Sequence, residues 1–447
     1  MLDIKFIREN PDIIKQACKL KGLTDYTDQI LELDKRIREL KTITQSKTAE
    51  KNKITREIPT ATDKAPLIAK SKEINAEIAN DMAELADKES QMNELLHCVP
   101  QIPSADAPIG RDDSENVEIK RVGTPREFDF TPRPHWELLE MNGWWKPEKI
   151  ASICGTRTYA LFGEAAELEL AIQTYVLQKL ISKGFTFVNC PSITKPDTIF
   201  NAGHFTGTDK SIMSNDVFML TDTDRCLAGT AEIILNSLHS DEVLNEKDLP
   251  IKYAGFSPCF RKEAGAAGRD TRGIVRIHQF NKVEQYIYCT PEQSDEMHEH
   301  LLNNLCEIMT DLELPYRVIA ACTGDMGFNK VKMHDVEAWF PSENTYRELG
   351  SCSSIGQFQA RRTNTRYRTH DGSMQFCATL NNTGIALPRA IVLVIENHQN
   401  PDGSVNIGGT SNNGGTNTAD TSSSFGGASD DAFLAALGLK SNDKGNN

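Results

Sequence analysis

The sequence predicts an α+β protein, in which an N-terminal antiparallel helical hairpin precedes one large mixed domain built on a sheet and flanked by helices. Three observations carry this reading. Two runs of some thirty residues show apolar positions at helical spacing and are separated by a proline-bearing tip. A proline-rich stretch follows them. Beyond it, short β-rich runs alternate with helical ones as far as about residue 405.

In chain order, residues 4–21 read as a short helix. From about Thr27 to Glu57 a longer one places Ile30, Leu33, Ile37 and Leu40 on one stripe. Ile58-Pro-Thr-Ala-Thr-Asp-Lys-Ala-Pro66 interrupts it, because proline has no N–H to give a helix interior. The return helix carries Leu67, Ile74, Ile78, Met82, Leu85, Met92 and Leu96. At 1.5 Å per residue each arm is roughly 45 Å long, more than a compact domain needs, so the hairpin over about 27–97 is expected to project. Val99-Pro-Gln-Ile-Pro-Ser-Ala-Asp-Ala-Pro108 reads as a linker. The mixed domain contains, for example, a helix over Glu164–Ile181 followed by a strand at Phe185–Val188. After about Ile407 the chain turns to Gly, Ser, Thr and Asn until Phe433-Leu-Ala-Ala-Leu, and this tail is expected to be disordered. The expected divisions are 1–110, 111–405 and 406–447.

Composition narrows the function classes. The 447 residues are 39% hydrophobic and 25% charged, ordinary values for a globular chain. No apolar run approaches the roughly 20 residues of a membrane helix, and the N-terminus lacks a signal-peptide core, so a cytoplasmic protein is expected. The 11 cysteines form no C-x-x-C pair; free thiols are expected and zinc is not. A net charge of −14 argues mildly against nucleic acid, though a local basic face can hide within a global sum.

The chemistry concentrates around Phe260-Arg-Lys-Glu263, a Gly-rich loop, and His278-Gln-Phe-Asn-Lys-Val-Glu-Gln-Tyr-Ile-Tyr288. If the second piece is a strand, Phe280, Lys282, Glu284, Tyr286 and Tyr288 share a face, with Phe280 and Glu284 roughly 13 Å apart. An aromatic plane at one end and a carboxylate at the other suit an extended ligand. Arg261 and Glu263 are expected to share a face of the preceding strand, and the loop Glu263–Gly273 adds Arg269 and Arg272. The bland alternative, a charged β-hairpin with a flexible turn, stays open on these residues alone.

The pattern Arg-x-Glu, loop, Phe-x-Lys-Val-Glu resembles motif 2 of the class II aminoacyl-tRNA synthetases in its seryl form. Cys259–Gly273 matches that family nearly word for word, as do Leu314-Pro-Tyr-Arg-Val318, Cys322–Phe328, Asn344-Thr-Tyr-Arg-Glu348, Phe358-Gln-Ala-Arg-Arg362 and, as motif 3, Thr379–Arg389. The resemblance spans residues 1 to about 405, hairpin included. It implies an antiparallel class II sheet, a homodimer with its dimer motif between Gly184 and Pro191, and a bacterial-type enzyme. Such an enzyme activates L-serine with ATP and transfers it to tRNA(Ser), with tRNA(Sec) open as a further acceptor.

The resemblance also implies roles. Arg261 would clamp the α-phosphate and the serine carboxylate, and Arg389 the γ-phosphate of a bent ATP. Phe280 would stack on adenine, whose amine Glu263 would accept; Lys262, Leu349 and Gly350 complete the ATP set. Glu348 and Ser351 would hold Mg²⁺ with the phosphates. Thr230, Ala231 and Glu232 would meet serine's amino group, and Glu284 and Thr383 its hydroxyl. Arg261, Glu284 and Arg389 form the catalytic set. The interleaved charges of the hairpin, from Lys35 to Arg56, read either as a solvated coiled-coil face or, by family, as a rod for the long variable arm of tRNA.

The chain also departs from the family pattern. Gly229 stands for the usual proline before Thr-Ala-Glu and Gly350 for a serine. Ser-Ile-Gly-Gln replaces an Asn-x-x-Asp pattern after Cys352, Pro388 stands where glycine is common, and Phe200–Phe205 and the tail are atypical. Two rivals follow. One is a ligase that loads an amino acid on a carrier protein, which would lack the arm. The other is an inactive RNA-binding or dimerising paralogue, which would be expected to lose Arg261, Glu263, Glu284 or Arg389.

Overall fold

The computed structural model describes residues 1–205, 215–264, 270 and 272–406. The expected tail, its Phe433 cluster and Arg269 lie outside the described residues.

Two short helices open the chain, α1 (Ile4–Glu9) and α2 (Pro11–Leu20), where one was expected. Pro11 is the reason: its ring disfavours α geometry in the preceding residue, and Asn10 sits at φ −135°, ψ 52°. The hairpin is α3 (Thr27–Glu57) and α4 (Ala65–Leu96). The second helix starts at Ala65 and takes into its first turn Pro66, which was read as part of the break, because a first-turn N–H needs no partner. Ile30, Ile37 and Leu40 are buried, as are Ile74 and Met92, but Met82 is solvent-exposed. Toward the tip the helices are joined by ion pairs, among them Lys47 with Asp81 (2.7 Å) and Lys70 with Glu50 (2.8 Å). At the base Asp34, largely buried, accepts from Arg8 and Arg38 and ties α1 to α3.

The segment read as a linker is not free. Val99 and Gln101 are buried, and the N–H groups of Gln101 and Ser104 donate to the carbonyls of Phe328 and Val331 (both 2.8 Å).

The large domain runs β1 (Val117–Val122), α5 (His135–Met141), α6 (Pro147–Cys154), α7 (Glu164–Ser182), β2 (Thr186–Asn189), β3 (Ile193–Thr194), α8 (Pro196–Ala202), β4 (Cys226–Leu227), α9 (Glu232–Leu235), β5 (Val243–Asn245), β6 (Ile251–Phe260) and β7 (Gln279–Cys289). It continues with α10 (Ser294–Asp311), β8 (Tyr316–Ala320), β9 (Lys332–Phe340), β10 (Thr345–Gly356), α11 (Phe358–Thr363), β11 (Arg366–Arg368), β12 (Met374–Phe376), β13 (Ala378–Ala386) and α12 (Leu387–Asn397). Eight strands form one sheet in the order β1-β8-β9-β10-β13-β7-β6-β2. Every pairing in it is antiparallel except that of β2 with β6. One face of the sheet is sealed by α7, α10 and α12. Leu180, Leu305 and Ile391 are fully buried there, in a core that also holds Val283 and Ile287 of β7. The other face is open over β7, β13 and β10.

Two bulges set which side chains reach that open face. On β10, Glu348 pairs with Glu337 and Gly350 with Val336, leaving Leu349 as an extra residue. On β13, Thr383 pairs with Glu284 and Ile385 with Val283, leaving Gly384 extra. An extra residue reverses the side-chain alternation beyond it. Glu348 and Ser351, three apart, therefore emerge on one side, and so do Thr383 and Ala386.

All eleven cysteines are free thiols, and all but Cys98 and Cys154 are buried. Among the described residues no helix is long and apolar enough to cross a membrane.

Candidate active site

The open face carries two joined cavities. The inner one is walled by Thr230, Glu232 and Glu284, by Asn381 and Thr383 of β13, by Ser351 and Ser353 of β10, and by two loops, one ending at Gly203–His204 and one at Gly327–Lys330. The outer one is walled by Glu263, Phe280, Arg276, Leu349, Pro388 and Arg389. Arg261, Lys282, Glu348 and Thr383 border both.

β7 supplies the floor as alternation requires. Phe280, Lys282 and Glu284 rise into the cavities, while Tyr286, on the same face, is covered, its hydroxyl donating to Gln359 (2.8 Å) and lying 3.0 Å from the Asn236 amide. Glu284 is 2% exposed and accepts from Thr230 (3.1 Å) and from the Lys282 ammonium. Glu232 accepts through one oxygen from Asn381 (2.9 Å) and Gln359 (2.8 Å); its other oxygen lies 3.8 Å from His204 Nε2. Burial pushes both carboxyls above their ordinary value of 4.5; beside Glu284 the charge of Glu232 adds to that, and Lys282 opposes it. Desolvation within the cavity, together with Arg261, Lys330 and Lys282, lowers His204 even though its ring keeps 37% exposure, favouring the neutral imidazole. The inner cavity thus presents two acceptors on one side and hydroxyl and amide groups on the other.

The sequence reading is wrong for Arg261 and Glu263. β6 ends at Phe260, so the two share no strand face. Glu263 lies at φ 54°, a left-handed conformation that turns its carboxylate onto Arg276 (2.7 Å). Arg276 also reaches Asp270 (3.3 Å), which Arg347 chelates at 2.8 and 2.9 Å. Arg261 itself is lightly held: its Nε donates to Gly229 O (3.3 Å), and its guanidinium lies 5.2 Å from the centre of the Phe280 ring. Arg389 donates to Glu348 O (2.6 Å); burial and the nearby Arg261, Arg347 and Arg276 pull it below its ordinary value.

The far end of the motif 2 loop is fixed by a buried imidazole. His135 Nδ1 meets Glu396 (2.9 Å), and its Nε2 accepts from the Ile274 N–H (3.2 Å). Gly273, at φ 76°, is required here, since a Cβ would fall 1.9 Å from that nitrogen.

Three expected residues do not reach either cavity wall. Ala231 is fully buried, close to where a Cβ on Gly255 would point (3.1 Å). Lys262 extends toward Phe218, 5.8 Å from its ring centre. A Cβ on Gly350 would sit 2.8 Å from Leu305 and from Thr383, so the serine usual at this position has no room here. Conversely, Lys282, Asn381, Ser353, His204, Lys330 and Arg276 line the cavities although the sequence reading gave them no role, Lys282 having been placed on the right face of its strand. Lys282 and Asn381 were accessible to the alternation rule, each two residues before a residue that was chosen. His204 and Lys330 lie on loops with no periodicity to mark them.

Among the described residues no group of three His, Cys, Asp or Glu side chains is arranged to hold a metal alone. Oxygen donors do converge, however. Ser351 Oγ and, directly across the strand pair, Asp335 Oδ1 are buried with no partner beyond each other. Burial, reinforced by the charge of Glu348, pushes Asp335 up to about 7. Such a set fits a hard cation whose remaining ligands come from a bound phosphate.

The model of the seryl-tRNA synthetase N-terminal domain matches residues 1–103, and that of the tRNA synthetase class II core domain (G, H, P, S and T) matches residues 218–398. The chain is 43% identical over 411 residues to the serine–tRNA ligase of Deinococcus radiodurans, covering 91% of this chain and 96% of that one. It is 40% identical over 416 residues to the serine–tRNA ligase of Methanoregula boonei, covering 91% and 97%. The crystal structure of seryl-tRNA synthetase from Pyrococcus horikoshii complexed with ATP superposes with a TM-score of 0.86 at 37% identity, covering 91% of this chain and 96% of that one. Cytoplasmic serine–tRNA ligase from Naegleria fowleri in complex with AMP gives 0.81 at 30%, covering 90% and 94%.

Proposed function

The chain belongs to the seryl-tRNA synthetase family and charges tRNA with serine using ATP, and on that premise we propose that the inner cavity takes serine and the outer one ATP. The observation that carries this assignment is the shared border. Arg261, Lys282, Glu348 and Thr383 face both cavities, so a carboxylate bound in one lies beside a phosphate bound in the other.

The reaction then follows from the side chains. Serine's ammonium lies against the free oxygen of Glu232, and its hydroxyl donates to Glu284 beside Thr383. A site built to hydrogen-bond a hydroxyl leaves buried groups unpaired when alanine enters, which is how it rejects alanine. One carboxylate oxygen of serine attacks the α-phosphorus and diphosphate leaves. Arg261 is placed to hold both reacting groups, and Arg389 the far end of the triphosphate. Phe280 offers adenine a face; Glu263 reaches its amine without giving up the pair with Arg276, since a carboxylate has a second oxygen. Glu348 and Ser351 would hold Mg²⁺, which spreads phosphate charge when bound. The terminal ribose hydroxyl of tRNA then attacks the seryl carbonyl and AMP leaves. No side-chain nucleophile is required. All four residues whose loss would mark an inactive paralogue are in place around the cavities. We assign residues 1–110 to tRNA binding, 111–405 to catalysis as a homodimer in the cytoplasm, and tRNA(Sec) as a second acceptor.

ATP–pyrophosphate exchange with each of the twenty amino acids tests the assignment: serine alone is expected to support it. No exchange from folded protein would overturn the reading.

The raised carboxyls add a pH signature. Serine's ammonium needs Glu232 ionised and its hydroxyl needs Glu284 as an acceptor, while burial favours the protonated form of both, so serine binding releases protons. The KM for serine is expected to rise as pH falls from neutrality through the raised range above 4.5, with the KM for ATP far less affected. Stability of the free protein runs the other way. A carboxyl raised by folding stabilises the folded state while protonated, and that contribution is lost as pH rises through its folded value. Initial-rate exchange and thermal melts across pH 5–8 read the two trends separately.

A further inference from the structure

Lys21, at the C-terminal end of α2, belongs to the small helical unit at the base of the hairpin, yet its side chain leaves that unit. It is 6% exposed, and its ammonium donates to three backbone carbonyls of the catalytic body: Gly327 (2.8 Å), Phe328 (3.3 Å) and Lys330 (2.5 Å). Among the described residues it has no carboxylate partner. Burial, with the Lys330 charge nearby adding to it, lowers it to about 7. A buried ammonium among neutral carbonyls is an expensive arrangement for stability alone, since a methionine would fill the same space without a charge.

The carbonyls it gathers belong to one wall of the inner cavity, Gly327–Lys330. Neighbouring contacts act on the same wall. The Gln101 N–H shares the Phe328 carbonyl, and Leu23 packs with Phe328 and Phe358. The wall in turn presses on its opposite number: a Cβ on Gly203 would lie 2.6 Å from Phe358 and 2.9 Å from Asn329 Nδ2, so the two loops meet with no slack.

We propose that Lys21 is a positioning residue for serine activation: from the helical unit that bears the arm, its ammonium holds the Gly327–Lys330 carbonyls in the shape the serine cavity requires. The step it serves uses no tRNA, so the unit expected to bind tRNA also sets the amino-acid pocket. The proposal rests on the assignment of the inner cavity to serine.

The test is ATP–pyrophosphate exchange, without tRNA, by the full chain carrying Lys21→Met. The KM for serine is expected to rise about tenfold, from three lost hydrogen bonds to a charged donor, with kcat within about twofold and the KM for ATP unchanged. The melting temperature is expected to stay level or rise. Lys21→Arg, which keeps the charge and donors, is expected to recover most of the serine KM. A wild-type serine KM in folded Lys21→Met overturns the proposal, and so does a parallel rise in both KM values, which would mark general loosening. Should Lys21→Met not fold, Lys21→Gln, whose amide stops short of the carbonyls, is read by the same split. Glu284→Ala, run alongside, separates the two claims. If its serine exchange is unimpaired, the cavity assignment itself fails; if its exchange is lost while Lys21→Met keeps the wild-type KM, only the role of Lys21 fails.

Discussion

Arg261→Ala is expected to lower kcat for serine-dependent ATP–pyrophosphate exchange by about 10²–10³-fold, with at most a few-fold change in either KM. The guanidinium borders both cavities, as does Lys282, but the Lys282 ammonium is already engaged by Glu284. Negative charge grows on that phosphate as the new bond forms, so a forked cation there is worth more in the transition state than in the ground state. The fold asks little of it. One long hydrogen bond to Gly229 and a contact with Phe280 are its ties in the free protein, and the melting temperature should hardly move. Arg261→Lys should recover little, because an ammonium cannot bridge two oxyanions in a plane. A kcat within tenfold of wild type for the alanine variant would remove Arg261 from the catalytic set.

The second large effect separates the two half-reactions. Replacing residues 43–83 by a short Gly/Ser turn removes the outer hairpin but keeps the base, with Ile30, Ile37 and Met92 buried against Ile14 and the Arg36–Glu84 pair intact. Serine-dependent exchange should stay within about twofold of wild type, since no residue of 43–83 borders either cavity. Charging of tRNA should fall at least about a hundredfold in kcat/KM, through loss of phosphate and shape contacts. Added salt should weaken charging by the full chain more steeply than charging by the truncated one. Unchanged charging by the truncated protein would leave the arm as a solvated coiled coil. The ion pairs Lys47–Asp81 and Lys70–Glu50 hold the outer helices together while leaving Lys35, Lys53 and Arg56 without an ion pair among the described residues.

How much of this was legible in the sequence varied by the physics involved. The hairpin was, because a stripe at 3–4 spacing has one geometric solution and Pro59 marks its end. β7 was as well, because Phe280, Lys282 and Glu284 alternate. What failed was continuity across special backbone. Asn10–Pro11 split one helix into two, and β6 ends at Phe260, three residues short of the left-handed Glu263 that was read as its continuation. The proline-rich stretch 99–108 read as a tether, but its N–H groups bind the Phe328 and Val331 carbonyls, a pairing that no local composition announces. Lys21 was invisible for the same reason. Its partners lie some three hundred residues away and are backbone atoms, which have no letter in the sequence.

The two bulges also mark where these strands could lose a residue without losing their phase. Leu349 and Gly384 have no counterpart on the neighbouring strand. Deleting either would restore regular pairing and keep Ser351 opposite Asp335, or Ala386 opposite Lys282, on the face it already occupies. Deleting a paired residue instead sets a different side chain against each partner. Along these two strands, the loss of one codon should therefore be better tolerated at Leu349 or Gly384 than at the paired positions that flank them.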